Sequence, residues 1–233
     1  MYEYIILGVL GYLIGSISVP RLIFFLKRPG IPPEPIISYS KDGRAQIIAH
    51  QVGSTNVLLA FGKRWGLAST ALDIAKSFIP VLVTRLSNPD TSLHLIVAGT
   101  IFLGVLWPVW HRFQGGGGNS CILGIILAIS PLGLIATHAG GALISRRFPR
   151  YTFIAGVILT VPWFAFRFGL FSGEVLLGIF LSIAYIVAQI PEALQLSRFE
   201  KEGHVFEMDQ VINMMRHPEG RGKPIEEDVS DEL

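Results

Sequence analysis

Three polar or glycine-rich patches interrupt an otherwise apolar chain: His50-Gln51-Val52-Gly53-Ser54-Thr55-Asn56, Asp73-Ile74-Ala75-Lys76 and Gln114-Gly115-Gly116-Gly117-Gly118-Asn119. Glycine-rich entries to helices can turn consecutive backbone N–H groups towards an anion, and glycine alone allows the close approach and positive φ that this needs. In the first patch Gly53 precedes a short helical stretch, where Thr55 or Asn56 can cap the helix or donate to a phosphate oxygen. The plainer reading is an ordinary capped helix at the membrane interface. Gly115–Gly118 reads either as an anion nest or as a tight turn. It is not a P-loop, because no Lys-Ser/Thr pair follows at the required spacing. Asp73 and Lys76 sit i,i+3 on one helix, where intramembrane charges mark either a functional site or a structural ion pair. His138, beside Gly140-Gly141, reads as a packing residue. No Ser-His-Asp order, acidic pair or cysteine nucleophile can be assembled, so the chemistry indicated is phosphate binding rather than covalent catalysis. The six His residues lack ligand spacing with Cys or carboxylates, so neither a metal nor another cofactor is expected, and the lone Cys121 reads as a small buried hydrophobe.

The elements that must carry these residues are membrane helices. A 51% hydrophobic content with only 15% charged residues lies outside the soluble globular range, and long apolar runs account for the excess. Helix 1 is expected over 4–26, an interfacial stretch over 54–61, helix 2 over 65–85 and helix 3 over 92–110. Trp107, Trp110, His111 and Arg112 form an interfacial anchor set at the end of helix 3. The segment 119–130 is too short to cross alone, since twelve helical residues rise about 18 Å against about 30 Å of hydrocarbon. It reads as a short or broken helix 4, followed from Pro131 by helix 5 to about residue 143. Helix 6 is expected over 151–168 and helix 7 over 173–196. The tail from 198 to 233 is polar and reads as a flexible cytoplasmic segment, with room for a short helix over 208–215.

Seven crossings make an all-α membrane bundle that charge can orient. With the N-terminus outside, Lys27, Arg28, Lys41, Arg44, Lys63, Arg64, Arg112, Arg146, Arg147 and Arg150 all fall inside, as the positive-inside rule asks. A six-crossing alternative strands the last three outside. On the N-out, C-in threading all three polar patches meet the bilayer at one face, the cytoplasmic one. A cluster of that kind implies a single site, because polar groups are costly in hydrocarbon.

Read in order, the motifs resemble those of the bacterial acyl-phosphate:glycerol-3-phosphate acyltransferases, integral membrane enzymes of phospholipid synthesis. Gly11-Tyr12-Leu13-Ile14-Gly15-Ser16-Ile17 resembles that family's first helix. Gly53-Ser54-Thr55-Asn56-Val57-Leu58, Gly62-Lys63 and Leu72-Asp73-Ile74-Ala75-Lys76 resemble its G-A-T-N-V-L…G-K…L-D-x-x-K-G region. Trp107-Pro108-Val109-Trp110, Phe113, Gly115-Gly116 and Gly118 resemble its G-H-x-[FY]-P-V-F…F-K-G-G-K-G segment. The resemblance covers about residues 5–196, making 1–197 a transmembrane acyltransferase-like domain.

The resemblance implies a multi-pass protein of the bacterial inner membrane whose site faces the cytoplasm. Its partners would be acyl phosphate, glycerol 3-phosphate and membrane lipids, with no nucleic acid. Gly53, Thr55 and Asn56 would cradle one phosphate, Gly115, Gly116 and Gly118 would supply backbone donors, and Asp73 and Lys76 would order the site or reach the acceptor. No protein nucleophile would be needed, because the substrate's own phosphate accepts the proton. The chain departs from the pattern at Ala49, Leu59, Val105 and Gly117, where the family carries polar or cationic residues, and it lacks the closing H-R-x-N-I motif near residues 190–194. Two phosphate-holding cations are thereby lost. At about 1.5–3 kcal/mol each, that loss weakens binding by roughly 10²–10⁴. A diverged, non-catalytic lipid-binding or partner subunit of the same fold is the alternative that these departures suggest.

Overall fold

The computed structural model describes residues 2–147 and 151–206. It is helical apart from one small hairpin: α1 (Tyr2–Ser16), α2 (Val19–Lys27), β1 (Ile36–Tyr39), β2 (Gln46–Ala49), α3 (Ser54–Phe61), α4 (Lys63–Ser87), α5 (Leu93–Leu106), α6 (Asn119–Ile129), α7 (Pro131–Ile144), α8 (Thr152–Ile158), α9 (Thr160–Phe168) and α10 (Gly173–Lys201). Three described helices are long and apolar enough to cross a bilayer: Lys63–Ser87, Leu93–His111 and Gly173–Lys201. The α1–α2 pair makes a fourth if counted as one bent span, and Asn119–Ile129, Pro131–Ile144 and Thr152–Phe168 are shorter apolar helices. Large side chains such as Leu86, Leu132, Phe166 and Phe171 are exposed, which suits a surface solvated by lipid.

Expected helix 1 is in fact two helices meeting at 41°. Ser18 caps the second by accepting from Arg21 N–H, and Pro20 occupies its first turn, a combination that starts a new helix rather than continuing an old one. Expected helix 6 likewise divides at Leu159 into α8 and α9. The break between α6 and α7 falls where the sequence put it. Ser130 accepts from Gly133 N–H at 3.2 Å and from Trp163 Nε1 at 3.0 Å, holding the corner from two sides. Expected helix 7 runs further than residue 196, to Lys201.

Helix packing uses small residues, as expected where lipid gives helices no hydrophobic reason to associate. A Cβ on Gly15 would lie 2.1 Å from the Ile101 carbonyl oxygen, so α1 and α5 meet backbone to backbone. On α6, Gly124 abuts Ser77 of α4, whose hydroxyl donates to the Cys121 carbonyl at 3.0 Å. Phe102, Ile122, Ile125, Ile126, Phe164 and Leu181 form the fully buried centre.

The expected polar loop after α2 contains an antiparallel hairpin, a correction to the all-α reading, with Ile36 opposite Ala49 and Tyr39 opposite Gln46. The far end of α10 holds it. Gln195 accepts from Ile48 N–H at 3.1 Å and donates to Ile48 O at 3.4 Å. Beyond the helix, Val205 O accepts from Lys41 N–H at 2.8 Å, and His204 Nδ1 lies 2.9 Å from Asp42 Oδ2. The tail therefore begins as structured chain at least to Phe206, while the expected helix over 208–215 and Arg150 lie outside the described residues.

Candidate active site

The three sequence patches line one cavity of about 560 Å³, together with Ile36, Ser38, Ile47 and Ala49 of the hairpin. All eight residues singled out from sequence are in its wall: Gly53, Thr55, Asn56, Asp73, Lys76, Gly115, Gly116 and Gly118. They do not all offer what the sequence suggested.

At the start of α3, Asn56 is 1% exposed and both ends of its amide are engaged. Its Oδ1 accepts from Gly53 N–H at 2.9 Å, and its Nδ2 donates to the Glu34 carbonyl at 2.9 Å. Asn56 thus builds the turn, and the Gly53 N–H is committed to it. What the turn leaves open is the first helical turn, whose Ser54 and Thr55 N–H groups have no protein acceptor among the described residues.

The glycine run threads between α5 and the strand-to-helix turn. A Cβ on Gly115 would sit 2.2 Å from the Val105 carbonyl oxygen, so only glycine fits there. Gly115 O accepts from Val52 N–H, and Gly116 N–H donates to Val105 O, each at 3.2 Å. Gly116 is therefore corrected from anion donor to wall. Gly118, at φ +79°, caps α6, and the N–H groups of Gly117, Gly118, Asn119 and Ser120 carry no protein acceptor among the described residues. Arg21 steadies the entry to this run, donating from Nη1 to Gln114 O at 2.7 Å. Two helix starts, α3 and α6, thus present open amides to one cavity, the arrangement that favours negative charge.

Lys76 and Asp73 are paired at 3.1 Å, with side chains 11% and 14% exposed. Lys76 Nζ also donates to Ile17 O at 2.7 Å and Gly15 O at 3.4 Å, the carbonyls at the end of α1. Lys76 is the one cation among the described lining residues, and it already serves as a helix cap. Of the four departures from the family pattern, Ala49, Val105 and Gly117 face the cavity, whereas Leu59 is buried and does not line it.

Sequence reading missed one wall. On α10, Tyr185, Gln189, Glu192 and Gln195 recur at three- and four-residue spacing, so they share a helix face. Tyr185 donates to Asn119 Oδ1 at 2.9 Å, Gln189 Nε2 to Gly117 O at 3.5 Å, and Gln195 grips the hairpin. Glu192 also lines the cavity. Polar residues at this spacing inside an apolar helix were the available signal.

The sequence model of the family described as Glycerol-3-phosphate acyltransferase matches residues 5–198, and the chain belongs to that family. A glycerol-3-phosphate acyltransferase from Halorhodospira halophila is 35% identical over 154 residues, 66% of this chain and 72% of that protein. Another, from Pelagibacter ubique, is 31% identical over 191 residues, 78% of this chain and 89% of its own length. Among solved structures, PlsY (YgiH), an integral membrane glycerol 3-phosphate acyltransferase, shares the fold. Its glycerol 3-phosphate form superposes with a TM-score of 0.68 at 24% identity, covering 90% of this chain and 98% of that one. The lysphosphatidic acid form gives 0.67 at 25% identity and the same coverage.

Proposed function

We propose that this membrane acyltransferase moves an acyl group from an acyl phosphate to a hydroxyl of glycerol 3-phosphate, releasing inorganic phosphate and making lysophosphatidate for phospholipid synthesis. The observation that carries the reading is the pair of helix starts, α3 and α6, whose unpaired N–H groups face one cavity. Gly117, Gly118, Asn119 and Ser120 hold one phosphate, and Ser54 and Thr55 the other. Gly53, Asn56, Gly115 and Gly116 shape those two cradles, while Asp73 and Lys76 set the break in the first span that forms the adjoining wall. The enzyme's work is then orientation and charge neutralisation rather than covalent catalysis.

The bent α1–α2 pair, α4, α5, α6, α7, the α8–α9 pair and α10 supply seven apolar segments, in keeping with seven crossings. Charge distribution favours N-out, C-in and a cavity open to the cytoplasm from the bacterial inner membrane. Residues 1–197 make up the catalytic unit, and 198–233 form a cytoplasmic tail. Purified protein given acyl phosphate and glycerol 3-phosphate yields lysophosphatidate. No product above a no-protein control would refute the reading and leave a lipid-binding relative without turnover.

A further inference from the structure

One face of the β1–β2 hairpin covers a side of the cavity. Ile36 stands opposite Ala49 and Ser38 opposite Ile47, and these two cross-strand pairs supply the strand residues that line it. Side chains alternate along a strand, so the hairpin is a flap with a cavity face and an outer face. Its tip is braced internally. Ser40 N–H donates to Ala45 O at 2.8 Å, Gly43 N–H to Ser40 O at 2.9 Å, and Ala45 N–H to the Ser40 hydroxyl at 2.9 Å. At its root, Asn56 Nδ2 holds Glu34 O between Pro33 and Pro35.

Away from the root, the flap is held by the end of α10 and by the chain that follows it. Gln195 exchanges two bonds with Ile48. Gly203, at φ +88°, turns the chain back after the helix, a left-handed conformation that favours glycine. His204 N–H donates to Phe199 O at 3.0 Å, and the Phe199 ring packs against His204 and Phe206 with centroids 6.2 and 6.0 Å away. So placed, Val205 O accepts from Lys41 N–H at 2.8 Å, and His204 Nδ1 meets Asp42 Oδ2 at 2.9 Å. The His204 and Asp42 side chains are 21% and 42% exposed, and a pair open to water breaks at small cost. The family's sequence model ends at residue 198, so this segment lies beyond the span that the chain shares with it.

We infer that residues 202–206 form a strap that latches the hairpin shut over the cavity, and that glycerol 3-phosphate enters when the latch releases. The inference rests on the acyl-transfer reading above. A two-stranded hairpin is marginally stable on its own, so the flap depends on its ties to stay closed. The ties at its tip are exposed contacts to a single short segment, whereas the helices lining the cavity are locked by close backbone packing such as Gly15 against Ile101 and Gly124 against Ser77. The hairpin is therefore the wall that can leave without unpacking the bundle. Glycerol 3-phosphate is charged and comes through water, so an opening on that side is what it requires. Closure afterwards completes the wall and excludes water from the acyl phosphate.

The test uses the full chain carrying Asp42→Cys and His204→Cys, cross-linked by a mild oxidant and released by a thiol reductant. Cys121 is buried and takes no part. Oxidation is expected to remove most of the steady-state turnover of acyl phosphate and glycerol 3-phosphate, and reductant to restore it, while wild type responds to neither. Hydrogen exchange supplies the opposite arm. In Asp42→Asn/His204→Gln, the Lys41 and Ile48 N–H groups should exchange faster together, with the amides of α5 keeping their wild-type protection. A pair that fails to cross-link, a fully cross-linked protein with undiminished turnover, or unaltered exchange in the unlatched variant overturns the inference. An inactive wild type overturns the acyl-transfer reading instead, and the exchange arm then decides on the strap by itself.

Discussion

Lys76 Nζ lies 2.7 Å from the carbonyl oxygen of Ile17, so a cation carried by α4 closes the break between α1 and α2. The same ammonium neutralises Asp73 at 3.1 Å. Replacing Lys76 by Met leaves Asp73 a buried, uncompensated charge and strips the end of α1 of its cap. Loss of one partner of such a pair costs about 3–5 kcal/mol. The expected outcome is a marked drop in Tm in detergent, partly recovered in the double variant Asp73→Asn/Lys76→Met. A single variant as stable as wild type would show that the cap is not needed.

Gly115 and Gly117 should respond to substitution in opposite ways. A Cβ at Gly115 would strike the Val105 and Leu106 carbonyls, whereas at Gly117 the nearest atom is Gln51 Oε1 at 3.0 Å, the end of a flexible side chain. Gly115→Ala should therefore fail to yield folded protein, and Gly117→Ala should fold. Gly117→Lys places a cation where the family pattern has one. A charge-assisted contact worth about 1.5–3 kcal/mol corresponds to roughly 10–100-fold tighter substrate binding. Steady-state KM for both substrates checks this, and an unchanged or raised KM counts against the phosphate cradle at Gly117.

Asn56→Ala removes the acceptor for Gly53 N–H and the donor for Glu34 O at a buried position. Each unpaired group costs about 1–3 kcal/mol. Both Tm and kcat/KM should fall, since the turn that aims the Ser54 and Thr55 amides is lost. Full activity would remove α3 from the site.

The contact between hairpin and tail should be sensitive to acid. Hydrogen bonding by Ser40 first, then Arg44 N–H and His204, lowers the Asp42 carboxyl from its ordinary 3.8 to about 2, outweighing the opposing effect of desolvation. A lowered carboxyl stabilises the folded contact above its ordinary value, and that stabilisation is lost as pH falls from about 4 towards 2. Hydrogen exchange at Lys41 N–H, bonded to Val205 O, should accelerate over that window. Asp42→Asn should flatten the response.

The break at Ser130-Pro131 was legible because length and a proline agree, and so were the ends of α3, where Gly53 and Gly62 flank an eight-residue, half-apolar stretch. The break at Ser18 carried a local signal in Ser18 and Pro20, but the lysine that closes it, Lys76, comes from some sixty residues away in the chain. The hairpin was hidden for a related reason. Its strands are only four residues each and are held partly by Gln195 from the last helix, a contact no local pattern records. The glycine run could be placed at the site, but which of its amides are open depends on the packing of Val105 and Val52 against it.

A cradle made from main-chain amides has no side chain to titrate, acetylate or exchange by mutation. Because Lys76 is occupied elsewhere, the phosphate cradle proposed above would rest on peptide dipoles, whose strength does not vary across the physiological pH range. Amine-modifying reagents and mild alkali, which silence lysine-dependent anion sites, should leave ground-state phosphate affinity here largely as it was.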